Sequence, residues 1–195
     1  MSTQKLEART GGRGSKGHPG LGFLAMLIVI AWLIELIDWY FNLNLDQYGV
    51  VPRSLSGLVG ILCMPWLHAD WDHLLDNTIA VLGLGVIVIL ARGRKFATTT
   101  LVLALISGIG TWVIADLGDA RSTHIGASGL VFSYFGYILA LAIWGRRLVW
   151  ALVGVVVAIV YGGMIGGIFP QGDYISWEAH LAGFLAGIWL GQRHA

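Results

Sequence analysis

Long apolar runs recur along this chain, and they leave it few folds. They extend from about Leu21 to Tyr40, His73 to Leu90, Phe96 to Ala115, Ser128 to Trp144, Leu148 to Phe169 and Trp177 to Leu190. A helix needs roughly 17–25 apolar residues to cross the hydrocarbon of a bilayer, so these six runs read as spans. A further apolar stretch, Gly57 to Leu67, is 11 residues long and too short to cross, so it reads as interfacial or re-entrant. The chain is 56% hydrophobic and 12% charged, against roughly 25% charged for a soluble domain. The expected fold class is an all-α polytopic membrane protein. At 195 residues it is one domain, 21–195, preceded by a short disordered arm over 1–20. Cys63 is the single cysteine, which excludes an internal disulfide and a thiolate metal cluster.

Basic residues set the orientation. Lys5, Arg9, Arg13 and Lys16 precede the first run; Arg92, Arg94 and Lys95 join the second and third. Arg146 and Arg147 join the fourth and fifth, and Arg193 follows the sixth. Ten of the twelve Lys and Arg thus fall on one side, with Arg53 and Arg121 opposite. By the positive-inside rule the ten-residue side is cytoplasmic, with both termini inside. No small-x-small cleavage pattern follows the first run, which reads as an uncleaved anchor. The basic arm is placed to touch anionic lipid headgroups, and no nucleic-acid partner is expected.

Polar residues in such runs are costly and usually functional. Ser128 lies 16 steps, roughly 24 Å, above the inner end of its run at Trp144, in the outer part of a core about 30 Å thick. His73 reaches a similar height on the second run, and His180 lies somewhat deeper on the sixth. His180, Gly183, Gly187 and Gly191 share one helix face, the one with the small residues that let membrane helices approach closely. Gly126, Ala127 and Gly129 surround Ser128, so a close crossing would bring imidazole to hydroxyl. Gly162, Gly163, Gly166 and Gly167 give the fifth run a similar small-residue spacing. His73 and Asn77, four apart, share a face of the second run. A serine becomes a nucleophile when a base takes its proton, and His180 is the candidate base for Ser128.

The succession Leu67-His68, His73-Leu74-Leu75-Asp76-Asn77, Gly126-Ala127-Ser128-Gly129 and Glu178-Ala179-His180-Leu181-Ala182-Gly183 through Gly187 resembles the rhomboid family of intramembrane serine proteases. The resemblance covers nearly the whole chain, from Pro52-Arg53 through Gly187. It implies a six-helix rhomboid-like core, Ser128 as nucleophile, His180 as its base, and His73 and Asn77 as helpers at the oxyanion. It also implies transmembrane protein substrates with a small residue at the cut and a locally unstable helix, in a bacterial inner membrane. The chain departs from the family pattern twice. Phe132 stands where well-known bacterial members carry a tyrosine stacked on the histidine, which keeps the ring and loses the hydroxyl. Val59-Gly60 stands where they carry a Trp-Arg pair in the first outer loop.

Glu178 is two residues before His180, about 200° around the helix, so a dyad without a third acid is expected. No metal or other cofactor is expected. Two alternatives remain. One is a non-catalytic scaffold of the same fold; the other is a metal site on His68, Asp70, Asp72 and His73. The short sixth run and polar residues at Asp173 and Glu178 suggest a cavity open to the outside. His18, His124 and His194 fall in arm, loop and tail and receive no role. Oligomeric state is not legible in the sequence.

Overall fold

The structure is a computed structural model and describes residues 18–117, 122–170 and 176–195. The basic arm before His18, Arg121 and Asp173 lie outside the described residues. Helix α1 (Pro19–Phe41) begins two residues ahead of the expected boundary. Proline fits the first helical turn, and the His18 ring accepts the Gly20 N–H at 3.1 Å. The loop between α1 and the next long helix then carries α2 (Gly57–Cys63), continued as a 3-10 turn through Met64–Trp66. This apolar stretch, Gly57–Trp66, is shorter than a membrane-crossing helix. Helix α3 (Trp71–Arg92) is capped by the Asp70 carboxylate, which accepts the His73 N–H at 2.7 Å. It ends at Gly93, where φ of +55° lets the chain turn back into α4 (Phe96–Ile114).

Helix α5 (Ser128–Trp144) is the axis of the molecule. Tyr134, Phe135, Tyr137 and Ile138 on it are fully buried, against Leu84 and Val88 of α3 and Phe96 and Leu103 of α4. The Tyr134 hydroxyl meets Thr100 at 2.7 Å and the Tyr137 hydroxyl meets His194 at 3.1 Å, so both buried phenols are hydrogen-bonded. Helix α6 (Leu148–Tyr161) covers one side of α5 and is mostly exposed, as a lipid-facing helix must be. Helix α7 (Trp177–His194) lies tightest against α5. A Cβ at Gly183 would strike the Gly129 carbonyl and one at Gly187 the Ser133 carbonyl; at Gly191 it would lie 2.7 Å from the Tyr137 carbonyl. The small-residue face expected on the sixth run is therefore the α5–α7 seam.

Three differences from the sequence reading have physical causes. The fifth run does not continue as α-helix to Phe169; after Tyr161 it tightens into 3-10 turns over Gly162–Ile168. Gly162 and Gly163 face open space, so they are not packing positions, and four glycines in seven residues weaken the α-helix there. The sixth run is 18 residues rather than short, because its last turn goes on past Leu190 to His194. Glu178 is no polar approach to a cavity: it is buried, and its carboxylate accepts the Asp116 N–H at 3.3 Å.

Among the described residues, three helical stretches are long and apolar enough to cross a membrane: Pro19–Phe41, Trp71–Ile114 and Leu148–Ile168. The middle one, 44 residues, is α3 and α4 with their turn. Helix α5, 17 residues, is shorter and surrounded by protein, and α7 carries Glu178, His180 and Arg193. The architecture is all-helical, multi-pass and membrane-embedded. Among the described residues the one extended pairing is the isolated bridge between Val50 and His124.

Candidate active site

Ser128 is the first residue of α5, a position where the backbone N–H has no partner within the helix. It is preceded by Gly126 at φ +106°, a conformation that side chains rarely adopt. The Gly126 N–H donates to the Met64 carbonyl at 2.9 Å, and the Ala127 N–H to His68 Nε2 at 3.4 Å. The loop between α1 and α3 thus grips the chain just ahead of the serine. His68, read only as part of a motif and as a metal candidate, serves here as a buried acceptor.

His180 lies one turn into α7, and its Nε2 is 2.9 Å from Ser128 Oγ. Its Nδ1 is 3.0 Å from the Gly167 carbonyl. A carbonyl only accepts, so Nδ1 carries the proton and Nε2 is the acceptor facing the hydroxyl. Phe132, one turn below Ser128, stacks on the imidazole at 4.2 Å between centroids and 11° between planes. Two groups therefore fix the ring, one by hydrogen bond and one by its face. The Gly167 carbonyl escaped sequence reading, because any residue supplies a carbonyl. Gly167 itself is required by close approach: a Cβ there would come within 2.9 Å of Phe132 and 3.2 Å of His180 Nδ1.

His73 and Asn77 converge on the same place from α3. A Cβ on Gly126 would lie 2.8 Å from the His73 ring and 3.4 Å from Asn77 Nδ2, so both side chains press on the backbone two residues before Ser128. Asn77 is buried, and its Nδ2 has no hydrogen-bond partner. An unpaired buried donor costs on the order of 1–3 kcal/mol, a cost that a bound acceptor would relieve. Gly129, the remaining small residue of the motif, packs under Ser107, with its Cβ position 2.6 Å from Ser107 Oγ. All of the sequence-derived site residues thus meet in one region at the N-terminal ends of α3, α5 and α7.

The loop between α1 and α3 is held without a Trp-Arg pair. Arg53 donates to the carbonyls of Val113, Ala115 and Asp116 at the end of α4, and the Trp112 indole donates to the Ser54 carbonyl at 2.9 Å. A cation at a helix C-terminus is favoured by the helix dipole as well as by the orphan carbonyls there. Gly60, one of the two residues replacing the pair, lets α2 lie on the backbone of Gly49 and Val50.

Residues 55–193 match the rhomboid domain family. An uncharacterized protein of Mycobacterium tuberculosis is 38% identical over 173 residues, covering 86% of this chain and 70% of that protein. One from Mycobacterium leprae is 35% identical over 173 residues, covering 86% and 67%. RHOMBOID-like protein 4 of Arabidopsis thaliana is 31% identical over 149 residues, covering 72% of this chain and 36% of that longer protein. The chain belongs to the rhomboid family, a family of intramembrane serine proteases.

Proposed function

We propose that this chain is an active intramembrane serine endopeptidase that cleaves transmembrane segments of membrane proteins through a Ser128–His180 dyad. The observation that carries the reading is the 2.9 Å approach of His180 Nε2 to Ser128 Oγ with Nδ1 turned to the Gly167 carbonyl. In the first step the Ser128 hydroxyl gives its proton to Nε2 while its oxygen attacks the scissile carbonyl. The imidazolium then protonates the leaving amine, and the acyl-enzyme is released by water activated at the same nitrogen. The negative oxygen of the tetrahedral intermediate is stabilised by the Ser128 N–H, the Asn77 amide and the His73 ring. The unpaired Asn77 Nδ2 supports that role. A substrate helix that already unwinds is the easier target, since extended backbone in lipid is costly.

In this reading the six apolar runs are six spans, with both termini cytoplasmic in a bacterial inner membrane. The retained serine and histidine favour the enzyme over a non-catalytic scaffold. The metal alternative has lost a ligand candidate, because the Asp70 carboxylate caps α3. A fluorophosphonate probe tests the proposal on the reconstituted protein. Labelling of the wild type that is absent in Ser128→Ala and His180→Ala, with loss of cleavage of a model transmembrane substrate in both, is expected. Labelling that persists in Ser128→Ala overturns the nucleophile assignment.

A further inference from the structure

Ser128 and His180 sit on different helices, and each lies four residues after a partner in one hydrogen bond: His124 Nδ1 is 2.6 Å from Ser176 Oγ. We propose that His124 is a positioning residue that sets the spacing of the dyad by tying the start of α5 to the start of α7. The inference rests on the hydrolase reading above.

His124 is buried, and every polar group on it is used. Its backbone pairs with Val50 in both directions, at 2.9 and 2.8 Å, which anchors it to the first outer loop. Its Nε2 faces the Asp116 carboxylate at 3.5 Å, with Ser122 Oγ at 3.4 Å. A carboxylate only accepts, so the neutral ring carries its proton on Nε2 and receives the Ser176 hydroxyl at Nδ1. The tie reaches both catalytic elements through short paths. The chain from His124 runs straight into Gly126 and Ser128, and the Ser176 carbonyl accepts the His180 N–H at 3.2 Å. Asp116 adds a parallel link, since its N–H donates to Glu178 in the first turn of α7. The charged groups around the ring are therefore Asp116, with Glu178 and Arg53 bound to the Asp116 backbone.

Lower down, the α5–α7 seam is fixed by glycines against backbone. Just ahead of the two helices, His124 and Ser176 supply a side-chain link outside the dyad itself. An error near 1 Å in the placement of a reacting group can cost about 100-fold in rate, so a loosened tie reads out in turnover. Asparagine is the discriminating replacement, because its side-chain oxygen stands where Nδ1 stands and can accept from Ser176.

The test compares wild type, His124→Ala, His124→Asn, Ser176→Ala and the His124→Ala/Ser176→Ala double variant in proteoliposomes. Cleavage of a model transmembrane substrate, fluorophosphonate labelling rate and melting temperature are measured per folded enzyme. Expected are a 10- to 100-fold fall in kcat and labelling rate for His124→Ala with KM unchanged, a similar fall for Ser176→Ala, and no further fall in the double variant. His124→Asn should recover most of the rate. Full kcat in His124→Ala, additive losses in the double variant, or a fall confined to KM overturns the proposal. Ser176→Ala removes a single oxygen and keeps the test decisive if His124→Ala does not fold. A wild type that neither labels nor cleaves overturns the hydrolase reading together with this one, whereas an active wild type matched by both single variants overturns the positioning role alone.

Discussion

Asn77 separates catalytic from structural roles at the scale of one residue. A buried amide tying two helices would have its donors paired, yet Nδ2 has no partner. Asn77→Ala should lower turnover by about 10²-fold or less, because other donors remain, with melting temperature little changed. A structural tie would instead lose about 0.6–1.7 kcal/mol and reduce activity only in step with protein lost. Turnover per folded enzyme beside melting temperature, in Asn77→Ala and His73→Ala, distinguishes the two. Asp116 carries a second residue-scale expectation. Burial alone would raise its carboxyl, but hydrogen bonds from the Ser122 N–H and hydroxyl, together with His124, outweigh burial and hold it below the ordinary value of 3.8. A depressed carboxyl contributes stability above that value and loses it as pH falls through the folded-state value. The stability difference between wild type and Asp116→Asn should therefore be constant near neutrality and shrink as pH drops below about 4, as read from thermal melts.

Among the elements, glycine has opposite meanings in two helical segments. On α7, Gly187 lets the Ser133 carbonyl approach, and an added methyl has no flexible neighbour to displace. Gly187→Ala should destabilise by about 1–3 kcal/mol or more and slow catalysis as α7 moves off α5. Gly162, where α6 tightens, meets open space, and Gly162→Ala should change stability by less than about 0.5 kcal/mol. Melting both variants in the same detergent checks the contrast. Periodicity revealed the first pattern, since Gly183, Gly187 and Gly191 recur on one face. The second group has the same composition and spacing, and only the open space around Gly162 and Gly163 shows that they pack against nothing.

For the whole molecule, charge distribution and depth make one coupled expectation. Single cysteines in a Cys63-free background should be accessible from the cytoplasm at 92–95, 146–147 and 193–195, and from outside at 116–117, 122–123 and 170. Outside labelling near Gly145 would reverse the orientation and put the dyad in the wrong leaflet. Arg92 at the C-terminal end of α3 lies 3.3 Å from His194 at the C-terminal end of α7, and His194 meets the hydroxyl of Tyr137, midway along α5, at 3.1 Å, so the three helices are joined there as well. The sequence pattern assigns no role to His194 or His124. Each sits outside the apolar runs, where a lone histidine carries no periodic signal.

What the sequence by itself determined follows from the cost of polarity in lipid. Runs of spanning length require helices, and a serine flanked by glycines and a histidine on a glycine stripe stand out because few polar residues are tolerated there. Those constraints act locally along the chain, so they can be read without knowing neighbours. Tertiary structure alone decided the partners that have no side-chain signature. The Gly167 carbonyl that turns His180, the α4 carbonyls that take Arg53, and the Ser176 hydroxyl that meets His124 all come from distant segments. Backbone acceptors are present at every residue, and which one lies within 3 Å of an imidazole depends on how the helices pack and where each one ends.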